Sequence, residues 1–144
     1  MKNLLIPLFI IFLLPLTGCA APDMPSQVEE LSDSAKQGKV YDQLLLGYKY
    51  YIGLDVPQDF KKALKWYHKA AERGSADAQI YLGTMYHNGE GTEVDYVKSY
   101  MWLNLAAMQG HKRGGELRDI IAKKMIPEDI EKAKKMTDDW LPSK

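Results

Sequence analysis

Three histidines, one cysteine and a small group of acids are the residues through which this chain could do chemistry. The histidines are His68, His87 and His111. A protein metal site asks for several ligands at defined spacings, as in His-Glu-x-x-His, and none of the three histidines has a partner placed that way. Glu90, Glu93 and Asp95 fall together around a Gly-Glu-Gly turn. Calcium would need more oxygen ligands in one loop than these supply. Gly-x-Ser-x-Gly and a phosphate-binding Gly-rich loop are both absent from the sequence. The residues therefore nominate no catalytic group, no metal ligand and no cofactor, and a non-enzymatic role is expected. A cell-wall or antibiotic hydrolase is the weaker alternative, because no nucleophile–base pair is visible.

The cysteine stands at a telling place. Residues 1–3 carry one Lys, and residues 4–16 (LLIPLFIIFLLPL) are an unbroken apolar run. That run is shorter than the roughly 20 residues of a membrane-spanning helix and suits the core of a signal peptide. Leu16-Thr17-Gly18-Cys19 follows, and Cys19 is the chain's single cysteine. A lone thiol cannot close an internal disulfide, so an exported chain gains no cross-link from it. Leu-small-Gly-Cys after such a core resembles the bacterial lipobox. The resemblance implies removal of residues 1–18 and lipidation of Cys19 on its sulfur and its new amino group. Each buried CH₂ of the acyl chains contributes about 0.8 kcal/mol, so several chains make a firm membrane anchor. Ala20, rather than Asp, comes next. By the same resemblance this implies the outer membrane of the bacterial cell envelope, facing the periplasm. Residues 19–26 then read as a short tether, kept extended by Pro22 and Pro25.

At 144 residues and 46% hydrophobic content the chain can bury one modest core. Its formal net charge is zero, or −1 once the segment holding Lys2 is removed. That balance argues against a nucleic-acid partner, which would ask for a basic excess.

The elements that must position everything else come in two copies. Residues 35–70 and 71–106 align without gaps, and 11 of 36 positions are identical. The identities fall on packing and turn residues: Ala35/Ala71, Gly38/Gly74, Gln43/Gln79, Leu46/Leu82, Gly47/Gly83, Tyr50/Tyr86, Gly53/Gly89, Asp59/Asp95, Lys62/Lys98, Trp66/Trp102 and Ala70/Ala106. A period of this length signals stacked repeats. The hydrophobic spacing predicts two helices per copy, 40–52 and 60–73, then 76–88 and 96–109, with Asp59 and Asp95 as N-caps. A helix over 27–37 reads as the second half of a truncated repeat that caps the stack. Helices over 111–125, with Leu117, Ile120, Ile121 and Met125 as its apolar stripe, and from Pro127 to Trp140 close the other end. Gly47 and Gly83 mark where the second helix of each copy approaches, with Ala63, Ala70 and Ala106 expected opposite and Trp66 and Trp102 filling the space between repeats.

Leu46-Gly47, Tyr50, Gly53, Asp59-Phe60, Ala63, Trp66, Ala70-Ala71 and Gly74, repeated from Leu82-Gly83 to Gly110, resemble the Sel-one-like repeat, a relative of the tetratricopeptide repeat. The second copy departs at Ser99, which replaces Ala, and at Glu93-Val94, which replace Pro-Gln; Gly114 stands where Ala78 would recur. The resemblance implies an all-α, right-handed α-solenoid of antiparallel helix pairs spanning residues 27–141, with capping helices at 27–37 and 111–141. It also implies that the first helix of each pair lines a concave face. The inward residues would be Tyr41, Leu44, Tyr48, Tyr51 and Ile52, then Asp77, Ile80, Thr84, His87 and Asn88, then Arg113, Glu116, Ile120, Lys123 and Lys124. This groove grades from aromatic to polar to basic, which suits a protein partner with an apolar anchor and an acidic end. A blander use for Tyr48 and Tyr51 is to pad the junction with the N-terminal helix. Small lipoproteins of this kind resemble immunity proteins that neutralise periplasm-acting effectors such as phospholipases; others regulate cell-wall enzymes or contact host factors.

Overall fold

The computed structural model describes residues 26–141. The signal segment 1–18, Cys19 and the tether up to residue 25 lie outside the described residues. Ser26, placed by the sequence at the end of the tether, is the N-cap of the first helix. Its hydroxyl accepts from the Glu29 amide at 3.2 Å, and the Glu29 carboxylate accepts from the Ser26 amide at 2.8 Å. This reciprocal capping satisfies two amides that the first turn would leave without partners.

The described residues form seven helices and no strand: α1 (Gln27–Lys36), α2 (Val40–Ile52), α3 (Phe60–Glu72), α4 (Ala76–Asn88), α5 (Tyr96–Met108), α6 (Lys112–Ala122) and α7 (Pro127–Trp140). The two copies repeat each other down to their caps. Asp59 and Asp95 each accept from an amide three residues on, those of Lys62 and Lys98, both at 2.9 Å. Gly53 and Gly89 end α2 and α4 at φ of 74° and 71°, a left-handed conformation that glycine adopts without strain. The sixth helix is shorter than the 111–125 expected, because the chain leaves the helix at Lys123 and restarts at Pro127.

The helices stack as an α-solenoid, α2 on α3, α3 on α4, α4 on α5, and α5 on both α6 and α7, with α1 against α2. Two side-chain amides hold successive units in register. Gln43 donates to the Ala35 carbonyl at 3.0 Å, and Gln79 donates to the Ala71 carbonyl at 3.3 Å. This equivalence shows that α1 occupies the place of a second-half helix, as the sequence predicts. One core cluster gathers Tyr67, Leu82, Met85 and Trp102, and another gathers Tyr100, Leu103, Ile121 and Ala133. Burying side chains of this size stabilises by about 1.5–3 kcal/mol each.

Three packing expectations need correction. The side chains nearest Gly47 and Gly83 are not the alanines but Tyr67 and Leu103. A Cβ on Gly47 would meet the Tyr67 ring at 2.8 Å, and one on Gly83 would meet Leu103. Ala63, Ala70 and Ala106 are fully buried in the same two clusters, and Ser99, at the place of Ala63, donates to the Gly83 carbonyl at 2.6 Å. Trp102 is buried, whereas Trp66 is only half-buried, because α7 covers the face of α5 that has no counterpart over α3. Ile120 lies outside the apolar stripe of α6 and is 50% exposed. Gly114 is explained by contact: a Cβ there would sit 2.9 Å from the Ala106 Cβ.

Candidate partner-binding groove

On the concave side, α2, α4 and the start of α6 enclose an open cavity of about 530 Å³. Its lining contains Tyr41, Leu44, Tyr48, Tyr51, Asp77, Ile80, Thr84 and Arg113, all read from the sequence as inward. Tyr41, 72% exposed, stands at the lip. Behind it the aromatic rings form a connected group. Tyr81 stacks on Tyr67 with centroids 4.6 Å apart and planes within 2°, and it touches Tyr48 and Tyr51 at 6.3 and 6.0 Å. Tyr48 and Tyr51 therefore pack between the two repeats, against α4, rather than padding the junction with α1.

Each tyrosine has a different job within this group. Tyr51 donates its hydroxyl to Glu90 at 2.9 Å and lies against Phe60 and Tyr67. Burial, then the bond to Glu90 and that residue's charge, push the Tyr51 phenol up to about 12. Burial also raises the Tyr81 phenol and, most strongly, that of Tyr67. Tyr51, Tyr67 and Tyr81 thus form a neutral aromatic wall, and Tyr41 and Tyr48 are the rings free to meet a partner.

The polar end is narrower than the sequence suggests. His111 and Asp77 approach at 3.3 Å, joining α4 to the start of α6. Arg113 has no ion-pair partner among the described residues and lies close enough to Tyr81 to lower its phenol pKa against the effect of burial. His87, Glu116 and Lys123 lie outside the cavity lining. The His87 ring sits beside Tyr96 with its Nε2 3.3 Å from the Lys124 ammonium. Desolvation, then Lys124, hold its pKa below the usual range. Glu116 pairs with Lys112 at 3.7 Å, and Lys123 caps the end of α6.

Leu45, Tyr81 and His111 line the groove without having been read as inward. Leu44-Leu45 and Ile80-Tyr81 are adjacent apolar pairs at equivalent places in the two copies. A packed helix shows an apolar face wider than one residue per turn, so the doubling was the available signal.

A second cavity, about 300 Å³, opens on the opposite side among His68, Tyr86, Met101, Trp102, Met136 and Trp140. His68 lies 3.0 Å from the Tyr86 hydroxyl, and burial lowers its pKa. The Trp102 and Trp140 rings meet edge to face at 5.0 Å. Among the described residues no group of His, Cys, Asp or Glu is placed to hold a metal ion, and no helix is long and apolar enough to cross a membrane.

Comparison with known proteins agrees with this geometry. The Sel1 repeat matches twice, over residues 40–75 and 76–111. A protective antigen present in uropathogenic Escherichia coli strains, displaying an SLR fold, superposes with a TM-score of 0.76 at 32% identity over 78% of this chain. A Sel1 repeat protein from Oxalobacter formigenes superposes with a TM-score of 0.62 at 41% identity over 63% of it. This chain spans only 24% and 26% of those two chains. No curated protein matches it. Sel1 repeats are in general protein-interaction modules, and the family is typically non-catalytic. The paired matches, the duplicated caps and the shared fold lead to one conclusion: the chain belongs to the Sel1 repeat family.

Proposed function

We propose that this chain is a non-catalytic binding module, lipid-anchored through Cys19 in the bacterial envelope, that takes a protein partner in the groove between α2, α4 and α6. The observation that carries the reading is the pairing of two accessible tyrosines, Tyr41 and Tyr48, with a rigid aromatic wall behind them and the unpaired Arg113 beside them. Tyrosine supplies large contact area at little entropic cost, and arginine and tyrosine dominate interface hot spots. We further propose that the partner is a periplasm-acting antibacterial effector, such as a phospholipase, which the chain neutralises as an immunity protein. A membrane anchor would hold such an inhibitor where the effector works.

The test is a competition between a strain lacking this chain and its parent. The deletion strain should be killed, and the wild-type chain should restore survival. Tyr41→Asp with Tyr48→Asp should fold normally by circular dichroism yet fail to protect. Full protection by that double variant would refute the groove, and survival of the deletion strain would refute the immunity role. A second reading, a factor that meets host proteins, has in its favour the description of the Escherichia coli relative as a protective antigen.

A further inference from the structure

Repeat equivalence exposes a difference between α3 and α5: α7 covers α5, whereas the same face of α3 is left uncovered and carries charge. On α5 this stripe is Val97, Met101 and Leu105, of which Met101 and Leu105 are buried; on α3 the same three places hold Lys61, Lys65 and Lys69. Lys62 lies beside them. At 100° per residue the four lysines occupy an arc of about 100° on α3, opposite the buried Ala63, Tyr67 and Ala70. A merely solvated face would be expected to mix signs. Here the only acid on α3 is Glu72, at its far end. Lys62 has a distant partner in Asp59, at 3.8 Å, and Lys61 and Lys65 have none among the described residues. Trp66 flanks the lysines half-buried, with the Lys69 ammonium 4.5 Å from its ring centroid.

Lysines around one partly exposed tryptophan form a surface suited to an anionic membrane. The cations meet the lipid headgroups, and an indole settles at the interfacial level. The point where the described chain begins is placed to deliver it. α1 stands in the position of the second-half helix one repeat before α3, and the Arg73 side chain at the end of α3 lies against Gly38 just after α1. Cys19 lies seven chain steps before Ser26, a reach of at most about 25 Å. Of the acids of α1, which stand one repeat before Lys65, Trp66 and Lys69, Asp33 pairs with Lys36 at 3.0 Å, Glu29 is held in its helix cap, and Glu30 is exposed with no ion-pair partner among the described residues.

We propose that the face of α3 formed by Lys61, Lys62, Lys65, Lys69 and Trp66 rests on an anionic lipid surface. The groove lies on the other side of the solenoid, so this contact turns Tyr41, Tyr48 and Arg113 away from the membrane and toward a partner. The inference uses the anchored reading only for how the chain reaches the bilayer.

The experiment incubates the full chain with vesicles of phosphatidylcholine alone or with about one third phosphatidylglycerol. Flotation reports attachment, and an amine-reactive label read by mass spectrometry reports lysine accessibility. Attraction amounts to about fivefold per lysine at low salt. Labelling of Lys61, Lys65 and Lys69 should therefore fall at least about threefold on anionic vesicles, and high salt should restore it. Lys112 on α6, whose side chain is 91% exposed, should label equally in both. Lys65→Glu with Lys69→Glu should abolish the protection of Lys61 and Lys62. Flotation on both vesicles with no selective protection overturns the orientation while leaving the anchor standing. Flotation on anionic vesicles alone, with protection, supports the lysine surface and removes the anchor. Flotation on neither overturns both.

Discussion

Alanine in place of Gly47 should loosen the groove from behind. Helix interiors normally favour alanine over glycine by about 1 kcal/mol. At Gly47 the added methyl would stand 2.8 Å from two carbons of the Tyr67 ring. That ring cannot swing aside freely, because it is fully buried and stacked on Tyr81 at 4.6 Å. Overpacking of this kind costs about 1–3 kcal/mol, and loss of a well-placed aromatic pair about 0.5–1.5 kcal/mol more. Set against the helix preference, the net destabilisation is roughly 1–3 kcal/mol. For a domain of this size that lowers Tm by about 4–12 °C. Gly115→Ala is the internal control: its methyl would meet only the Ala107 Cβ, at an ordinary 3.7 Å, so helix preference should win and Tm should rise by a few degrees. Thermal unfolding followed by circular dichroism measures both variants, and near-ultraviolet spectra report the tyrosine cluster. If Gly47→Ala raised Tm as Gly115→Ala does, the contact between Gly47 and Tyr67 would not be what sets the glycine.

Two further outcomes follow from the same core. The Tyr67 hydroxyl is buried with no hydrogen-bond partner, so Tyr67→Phe should leave stability unchanged or raise it by up to about 1–2 kcal/mol; a clear loss in denaturant unfolding would reveal a partner for that hydroxyl. His68 and His87 both have folded-state pKa values below the usual histidine value, so their neutral forms favour the fold fully above about pH 6.5, and that contribution is lost as pH falls through the lowered values. Tm should therefore drop between pH 7.5 and pH 5, the drop should shrink in His68→Phe, and a flat profile would remove the buried-imidazole explanation.

The fold was readable in advance because repetition multiplies weak local signals. Asp59 and Asp95 as caps, Gly53 and Gly89 as helix ends, and the span of α2 are each ordinary alone, yet their recurrence at one spacing leaves few alternatives. What the residues could not convey was which face each neighbour would cover. Trp66 and Trp102 are the same residue at the same place in the repeat, and only the presence of α7 makes one buried and the other half-exposed. The groove showed the same split. Tyr41, Leu44, Asp77 and Ile80 follow from helix direction, whereas His87 leaves the lining because Lys124 and Tyr96 hold it, a contact made by residues distant in the chain. Tyr51 does line the groove, and its bond to Glu90, made across the repeats, fixes its ring there.

The amide clasps between units have a consequence for how the stack comes apart. Gln43 and Gln79 each reach back to the carbonyl of the preceding unit, and Gln79 also receives the Gln109 amide at 2.8 Å. The third place in that series is Gly115, which has no side chain to extend. The joint that brings in α6 and α7 therefore lacks this clasp and is tied instead through Asn104 of α5, which accepts from Arg118 at 3.0 Å and donates to Thr137 at 3.4 Å. In a linear array, opening starts at a terminal unit, which has a neighbour on one side only, and proceeds inward. Amides of α6 and α7 should exchange with solvent before those of α3 and α4. Because α6 supplies Arg113 and His111 to the groove, the partner site would share the breathing of that end rather than the rigidity of the centre.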